Sequence, residues 1–328
     1  MNKAIPKDLT IAITYRCNLR CAMCNIWAVE NPEELPLEFF SNLSPDLRYV
    51  NISGGEPFLH PQITEIIKAV KEISPKAKII ISTNGFAVSL ITKKMAEILK
   101  IDPKIGVRVS IDGRREVHDE IRGFIGAYDQ AMAAINELKA MGVKNLGIGF
   151  TAMDKNVGEI ALVYDLAKKM KIQFAIGLVQ SSESYFKKSD NEILKKDEID
   201  QGLDYVINSE LRSNNIKKWL RAYFSFGLKN YLLYKKNILP WQAGLDSLFI
   251  SAGGEVYPNH LIGVKIGNLK NEPLESIWNS AEARKFRKEM RAGKFGEKWV
   301  MCAVRQAMKK NWPRVGLWIA ANKLKRII

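Results

Sequence analysis

Residues 9–24 read Leu9-Thr10-Ile11-Ala12-Ile13-Thr14-Tyr15-Arg16-Cys17-Asn18-Leu19-Arg20-Cys21-Ala22-Met23-Cys24. The first six, mostly β-branched, predict a strand, and three cysteines then follow on the loop that leaves it. Similar short runs recur at Tyr49–Ser53, Lys78–Ser82, Gly106–Ile111, Asn145–Thr151 and Gln173–Leu178. Between them, Pro61–Ile73, Ile91–Lys100, Ala127–Met141 and Val157–Met170 carry apolar residues at three- and four-residue spacing, as helices packed on a sheet do. Strand and helix alternate, which predicts an α/β fold: a partial (β/α)6 barrel of TIM type whose chemistry lies where strands end and loops begin.

The cysteine loop therefore stands at a barrel mouth. Three thiolates satisfy three irons of a 4Fe-4S cube and leave the fourth open to a substrate or cofactor. The competing reading is a structural zinc site, which wants four nitrogen or sulfur ligands; His60 or Cys302 would have to approach in space to complete it. A disulfide would leave an odd thiol, and four cysteines in 328 residues do not describe a stapled secreted fold. Neither an apolar stretch of membrane-spanning length nor a signal-peptide pattern is visible, so the expected location is cytoplasmic.

Three further segments end predicted strands. Gly54-Gly55-Glu56-Pro57 lets backbone carbonyls approach a ligand closely and adds an acidic acceptor, a combination suited to an ammonium group; the alternative is an ordinary turn. Ser82-Thr83-Asn84-Gly85 offers short polar side chains for ribose hydroxyls or, alternatively, a helix cap. Ser110-Ile111-Asp112-Gly113 precedes His118 and Arg122-Gly123, where Arg122 is able to pair with a carboxylate and His118 is either a loop-stabilising hydrogen-bonder or a catalyst.

In their order and spacing these four motifs resemble the radical S-adenosylmethionine (SAM) superfamily over roughly residues 8 to 180. The resemblance implies that Cys17, Cys21 and Cys24 ligate one 4Fe-4S cluster whose remaining iron is chelated by SAM. It places Met23 beside the adenine, Gly54, Gly55 and Glu56 at the SAM ammonium, Ser82 and Asn84 at the ribose, and Ser110 and Arg122 near the carboxylate. An electron from reduced flavodoxin or ferredoxin would cleave the sulfonium bond to methionine and a 5'-deoxyadenosyl radical, which takes hydrogen from the substrate. No side chain is assigned to that abstraction.

Beyond Gln180 the pattern changes. A polar stretch, Ser181–Asp200, precedes helical patterns at Glu198–Ser213 and Ile216–Lys235, a hairpin over Ser247–Tyr257 turning at Gly253-Gly254, and helices at Pro273–Met290 and Trp299–Lys309. These patterns divide the chain into 1–185 (barrel), 186–240 (helical connection) and 241–328. The last part resembles a SPASM domain, a smaller α+β extension that binds auxiliary clusters through cysteines: Ala243-Gly244, Gly254 to Pro258, Ile266 to Leu269 and Ile277-Trp278 fit that pattern. Trp241, Asn259, Phe295 and Lys298 stand where thiols are expected, and only Cys302 remains, so no auxiliary cluster is expected and Cys302 reads as a buried small residue.

The chain's net charge is +15, and from Arg284 to Ile328 there are 14 Lys and Arg against 2 Glu. Interleaved with Trp312, Leu317, Trp318 and Ile319, this tail suits either an interfacial helix on an anionic membrane, peripheral at its inner face, or a helix packed on its own protein. No nucleic-acid module accompanies the charge. The expected function is radical SAM chemistry on a lipid, glycan or small metabolite. A peptide maturase is the second reading, held back because the first strand starts too early for a leader-binding domain before it, and a non-catalytic iron-sulfur or zinc protein the third.

Overall fold

Alternation of exposure along the strands and a 3.6-residue apolar period along the helices build one layered sheet. A computed structural model describes residues 6–324. The strands and helices run β1 (Asp8–Thr14), β2 (Tyr49–Gly54), α1 (Ile63–Ile73), β3 (Lys78–Thr83), α2 (Val88–Ile101), β4 (Gly106–Ser110), α3 (Arg115–Arg122) and α4 (Ala127–Ala140). There follow β5 (Asn145–Ala152), α5 (Ile160–Lys169), β6 (Gln173–Leu178), α6 (Lys196–Leu211), α7 (Ile216–Tyr234), β7 (Ser247–Ile250), β8 (Glu255–Tyr257) and β9 (Gly267–Asn268). The chain closes with α8 (Leu274–Trp278), α9 (Ala281–Arg291), α10 (Met301–Lys310) and α11 (Trp312–Leu324).

The sheet order is β6-β5-β4-β3-β2-β1-β7-β8-β9. β1 to β7 pair in parallel, β8 and β9 antiparallel, and the sheet stays unclosed. On β2, Val50 and Ile52 are fully buried beneath the helices, while Asn51 and Ser53 look into the concave side. On α1, Ile63, Ile66, Ile67 and Val70 form the matching buried stripe. The hairpin expected over Ser247–Tyr257 forms as β7 and β8 around Gly254 at φ 86°, and its first strand docks on β1, with Asp8 opposite Ser247.

Three local expectations change. The helix expected over Pro273–Met290 is two helices, because the Ser280 side chain accepts a hydrogen bond from Ala283 N and starts α9 afresh. α3 was not expected; it is short and polar, and only His118, Ile121 and Arg122 are buried. In the tail, Val315 and Ile319 are buried and Trp318 stacks on Phe226 at 4.8 Å, so α11 packs on its own protein through one face. Trp312, Leu317 and Leu324 remain exposed on it, and residues 325–328 lie outside the described residues.

Candidate functional site

The cysteine loop leaves the C-terminal end of β1 and is clasped by backbone bonds from three directions. Gly55 N donates to Thr14 O (2.8 Å) and Glu56 N to Arg16 O (2.8 Å). Arg20 N donates to Arg122 O (3.1 Å) and Ala22 N to Ile121 O (2.8 Å), tying the loop to the end of α3. From the third side, Asn191 Nδ2 donates to Met23 O (2.9 Å) and Asn25 N to Phe186 O (2.8 Å). These approaches explain the glycines. A Cβ on Gly55 would lie 2.2 Å from Arg16 O and 3.0 Å from the Cys17 Cβ; one on Gly123, at φ 68°, would lie 2.4 Å from Arg20 O.

The three thiols lie within electrostatic reach of one another. Burial pushes Cys17 up to about 12 and Cys24 to about 11, and the neighbouring cysteines add to both shifts. Buried thiols of this kind stay protonated until cationic iron replaces the proton. Among the described residues no group of three Cys, His, Asp or Glu closes on a single ion; a cube instead asks each thiolate to meet its own iron. Arg122 Nη1 lies 3.7 Å from the Cys21 sulfur, which sets a cation beside a prospective cluster ligand. The donor set fits a cluster held by three cysteines.

His60 and Cys302 do not join the triad. His60 Nδ1 accepts from Gln62 N at 3.1 Å. Cys302 is placed near Asp8, at the start of β1, whereas Cys17 follows that strand's end, and its thiol meets Asn259 Nδ2 at 3.6 Å. Seven residues at about 3.3 Å each separate the two ends of the strand.

Around the triad, the motif residues are brought together, but several of their side chains are engaged inside the protein. The Glu56 carboxylate is fully buried and accepts from Asn84 N (2.7 Å), Thr83 Oγ1 (2.8 Å) and Phe58 N (3.2 Å), with its pKa raised to about 7 by burial. Glu56 therefore joins the ends of β2 and β3, its carboxylate engaged by three donors inside the protein. Asn84 Nδ2 donates to Asn18 Oδ1 (2.8 Å), a strut from β3 to the cysteine loop, and Ser82 Oγ donates to Asn51 Oδ1 (3.0 Å). Ser110 ends β4 on the concave side, half-buried. Arg122 pairs with the internal carboxylate of Asp112; burial opposes its charge, but Asp112 and Cys21 outweigh that and hold it fully cationic. Met23 packs with Ile121, Met153 and Val179, an apolar slot beside the last cysteine.

Sequence reasoning missed two residues here. Tyr185 Oη bonds Ser53 Oγ (2.7 Å) and donates to Gly54 O (3.3 Å), and Asn191 holds Met23. Both lie in the polar stretch Ser181–Asp200, where the paired aromatics Tyr185-Phe186 were the available signal. His118, left open between two roles, accepts from Asp112 N at 3.0 Å through Nδ1 and is a loop-stabilising hydrogen-bonder.

Below the loop, the concave side of the sheet encloses a cavity of about 290 Å³, running from Met23 and Ser53 past Thr10 to Trp299 and Cys302. Its floor is the start of α10, fixed to the first residue of β1 by Arg305 Nη1 (2.8 Å) and Gln306 Nε2 (2.6 Å) on the Asp8 carboxylate.

Comparison with known proteins agrees with this geometry. The radical SAM superfamily profile matches residues 11–167, and that of SPASM, an iron-sulfur cluster-binding domain, matches 242–303. The chain belongs to the radical SAM superfamily. It is an enzyme with a SPASM-type C-terminal domain in which Cys302 is the only cysteine. This radical SAM chain is 36% identical over 167 residues to Fe-coproporphyrin III synthase of Methanosarcina barkeri, covering 49% of the chain and 40% of that protein. It is 28% identical over 299 residues to the subtilosin biosynthesis protein AlbA of Bacillus subtilis, covering 84% of the chain and 60% of that protein. The chain thus spans about half the length of these relatives. SuiB of Streptococcus suis, solved with S-adenosylmethionine, superposes at TM-score 0.65 with 19% identity over 87% of this chain and 68% of its own; it has also been solved with a precursor peptide. Among the described residues no helix is long and apolar enough to cross a membrane.

Proposed function

We propose that Cys17, Cys21 and Cys24 hold one 4Fe-4S cluster at the barrel mouth and that SAM bound beside it starts hydrogen abstraction from a peptide side chain in the cavity below. The observation that carries this reading is the loop itself: three mutually close thiols, braced by Gly55, α3 and Asn191 at a strand end. When bound, the cluster and SAM supply reductive cleavage of a sulfonium bond and a carbon radical that takes hydrogen from the substrate.

The chain's own residues bind and orient. The carbonyls of Gly54 and Gly55 face the SAM ammonium, the slot of Met23, Met153 and Val179 receives the adenine, and Ser82 and Ser110 reach the ribose and carboxylate. Glu56 and Asn84 act one step back, holding β3 and Asn18 against the cysteine loop. Arg122 counters the charge of the Cys21 thiolate. A reduced flavodoxin or ferredoxin supplies the electron, and a single remaining SPASM cysteine leaves no ligand set for an auxiliary cluster.

Of the two substrate readings open in the sequence we take the peptide one, supported by AlbA, which aligns along most of this chain, and by SuiB, solved with a precursor peptide on the same fold; heme synthases among the relatives support the small-metabolite reading. The test is anaerobic reconstitution with iron and sulfide, dithionite reduction and chromatography for 5'-deoxyadenosine. Wild type is expected to form it and each Cys→Ala variant at the triad to form none. Wild type without SAM cleavage, or full cleavage in the variants, overturns the proposal.

A further inference from the structure

The cavity owes its width to side chains that are absent. Toward the C-terminal ends of β5 and β6 the residues facing the concave side are small: Gly149 and Thr151 on one strand lie opposite Ala175 and Gly177 on the other, and Thr151 and Gly177 line the cavity. A Cβ added at Gly149 or Gly177 would meet nothing within 4 Å, and neither glycine has a positive φ. Neither position needs glycine for its backbone. Gly177 lines the cavity, and the room beside it is therefore space for a guest.

The chemistry of that space is one-sided. Among the described residues that line the cavity there is no Asp, Glu, Lys or Arg. Its upper wall carries neutral polar groups, Thr10, Asn51, Ser53 and Thr151, while Tyr185, Phe186, Phe224 and Trp299 supply aromatic faces toward the side and floor. His260 also borders the cavity, packed among Tyr185, Phe186 and Phe249, with its Nδ1 sealed from solvent and without a partner. Arg108, a cation on the same side with Arg221 and Arg305 nearby, is spent on the carbonyls of Val107, Asn145 and Gln173, and none of the three lines the cavity.

An ionised group entering such a space loses its water and finds no counter-ion, a cost far above that of placing an apolar or neutral hydrogen-bonding group there. At about 290 Å³ the volume also falls at the low end of the range for small-molecule sites, about 300–1,000 Å³. It suits one side chain better than an extended ligand.

We infer that the cavity is a specificity pocket that admits an uncharged, ring-bearing or aliphatic side chain of a peptide and rejects acidic and basic ones, its width beside β6 set by Gly177. This rests on the proposed peptide reading and adds the class of side chain attacked. Specificity then comes from what the pocket lacks: a charged residue fails for want of a partner.

The test uses the reconstituted full chain and three probes, the N-acetyl amides of phenylalanine, lysine and glutamate, with dissociation constants from saturation-transfer NMR. The phenylalanine probe is expected to bind at least about tenfold more tightly than either charged one, since an unpaired buried charge costs more than the corresponding 1.4 kcal/mol. Gly177→Leu fills the open space and is expected to weaken the phenylalanine probe by about tenfold with the melting temperature retained. Thr151→Lys, which places a cation on the wall, is expected to invert the preference toward the glutamate probe. Equal binding of the three probes, no binding of the phenylalanine probe, or tighter binding of the glutamate probe to wild type overturns the inference; the last would show Arg108 reaching the guest. Probe binding needs no turnover, so its failure is separable from failure to form 5'-deoxyadenosine, which strikes the radical reading itself.

Discussion

At the scale of single residues, two glycines with different surroundings make opposite predictions. Gly55→Ala drives a Cβ into the Arg16 carbonyl and against Cys17, so it displaces the first ligand of the triad. The expected cost is about 1–3 kcal/mol of stability, typical of overpacking, with iron per chain after reconstitution below wild type. Gly149→Ala adds the same atom into open space and is expected to leave the melting temperature unchanged or raise it slightly, because the unfolded chain loses freedom. Calorimetry and iron analysis on the pair check both. Two buried histidines give one part of the pH dependence. Burial, with Arg122 adding to it, pushes His118 down to about 3, and burial pushes His260 down to about 4. The unfolded chain, with histidines near 6.5, binds more protons than the native one at pH below that value. Stability from these two groups is therefore full above about pH 6.5 and declines as pH falls toward their native pKa values. The buried Glu56 carboxyl, raised to about 7, works in the opposite sense as pH falls, so the histidine contribution is read by difference: between pH 7.5 and 4.5 the urea midpoint of His260→Phe is expected to fall less, or rise more, than that of wild type.

Among elements, the strap of residues 181–191 fixes the cysteine loop from the side opposite α3. Asn191→Ala removes two side-chain bonds, to Met23 O and Gln180 O at 2.9 Å each. At roughly 0.5–1.5 kcal/mol per bond, the loop loosens by about 1–3 kcal/mol, and reconstituted protein is expected to surrender iron to a chelator faster than wild type. A strap of this kind is poorly legible in sequence. Its partners stand more than 100 positions away, and its composition reads as solvated loop. Strands were legible because β-branched runs need only their own pattern: β1 and β6 fall within a residue of their expected bounds. α3 escaped because its eight residues bury a single apolar side chain, Ile121, and thus carry no stripe. The triad and the glycine turns were visible as motifs, whereas the inward direction of the Glu56 carboxylate was not, since the same letters suit an open or an engaged acceptor. His260 and Trp299 became cavity walls only once β7 had docked on β1, a pairing between segments 239 positions apart.

For the whole molecule, that docking decides how it unfolds. β1 is hydrogen-bonded on one side to β2 and on the other to β7, and all seven of its residues are buried. The same strand's first residue receives Arg305 and Gln306 from α10, whose start floors the cavity. The Asp8 carboxylate is 1% exposed; burial raises its pKa and Arg305 opposes the rise, so the pair is a buried ionic joint between the two ends of the chain. Arg305→Ala leaves that carboxylate with the Gln306 hydrogen bond and the nearby charge of Lys309, at an expected cost of about 1–3 kcal/mol. Removing everything after residue 185 does more: it strips β1 of a parallel neighbour, opens the cavity from below and uncovers the apolar faces that α6, α7 and α10 protect. A strand edge that is buried along its whole length in the intact chain becomes an aggregation template once exposed, so the 1–185 piece is expected to be insoluble or to bind a hydrophobic dye without a cooperative melt. The intact chain is expected to unfold in one transition, with circular dichroism and tryptophan fluorescence sharing a midpoint, because Trp299 on the cavity floor and the strands above it belong to one structure. Two separated midpoints, or a soluble and cooperatively melting 1–185 piece, would show that the barrel folds without its C-terminal partner and would remove the basis for treating Asp8, Arg305 and the cavity floor as a unit.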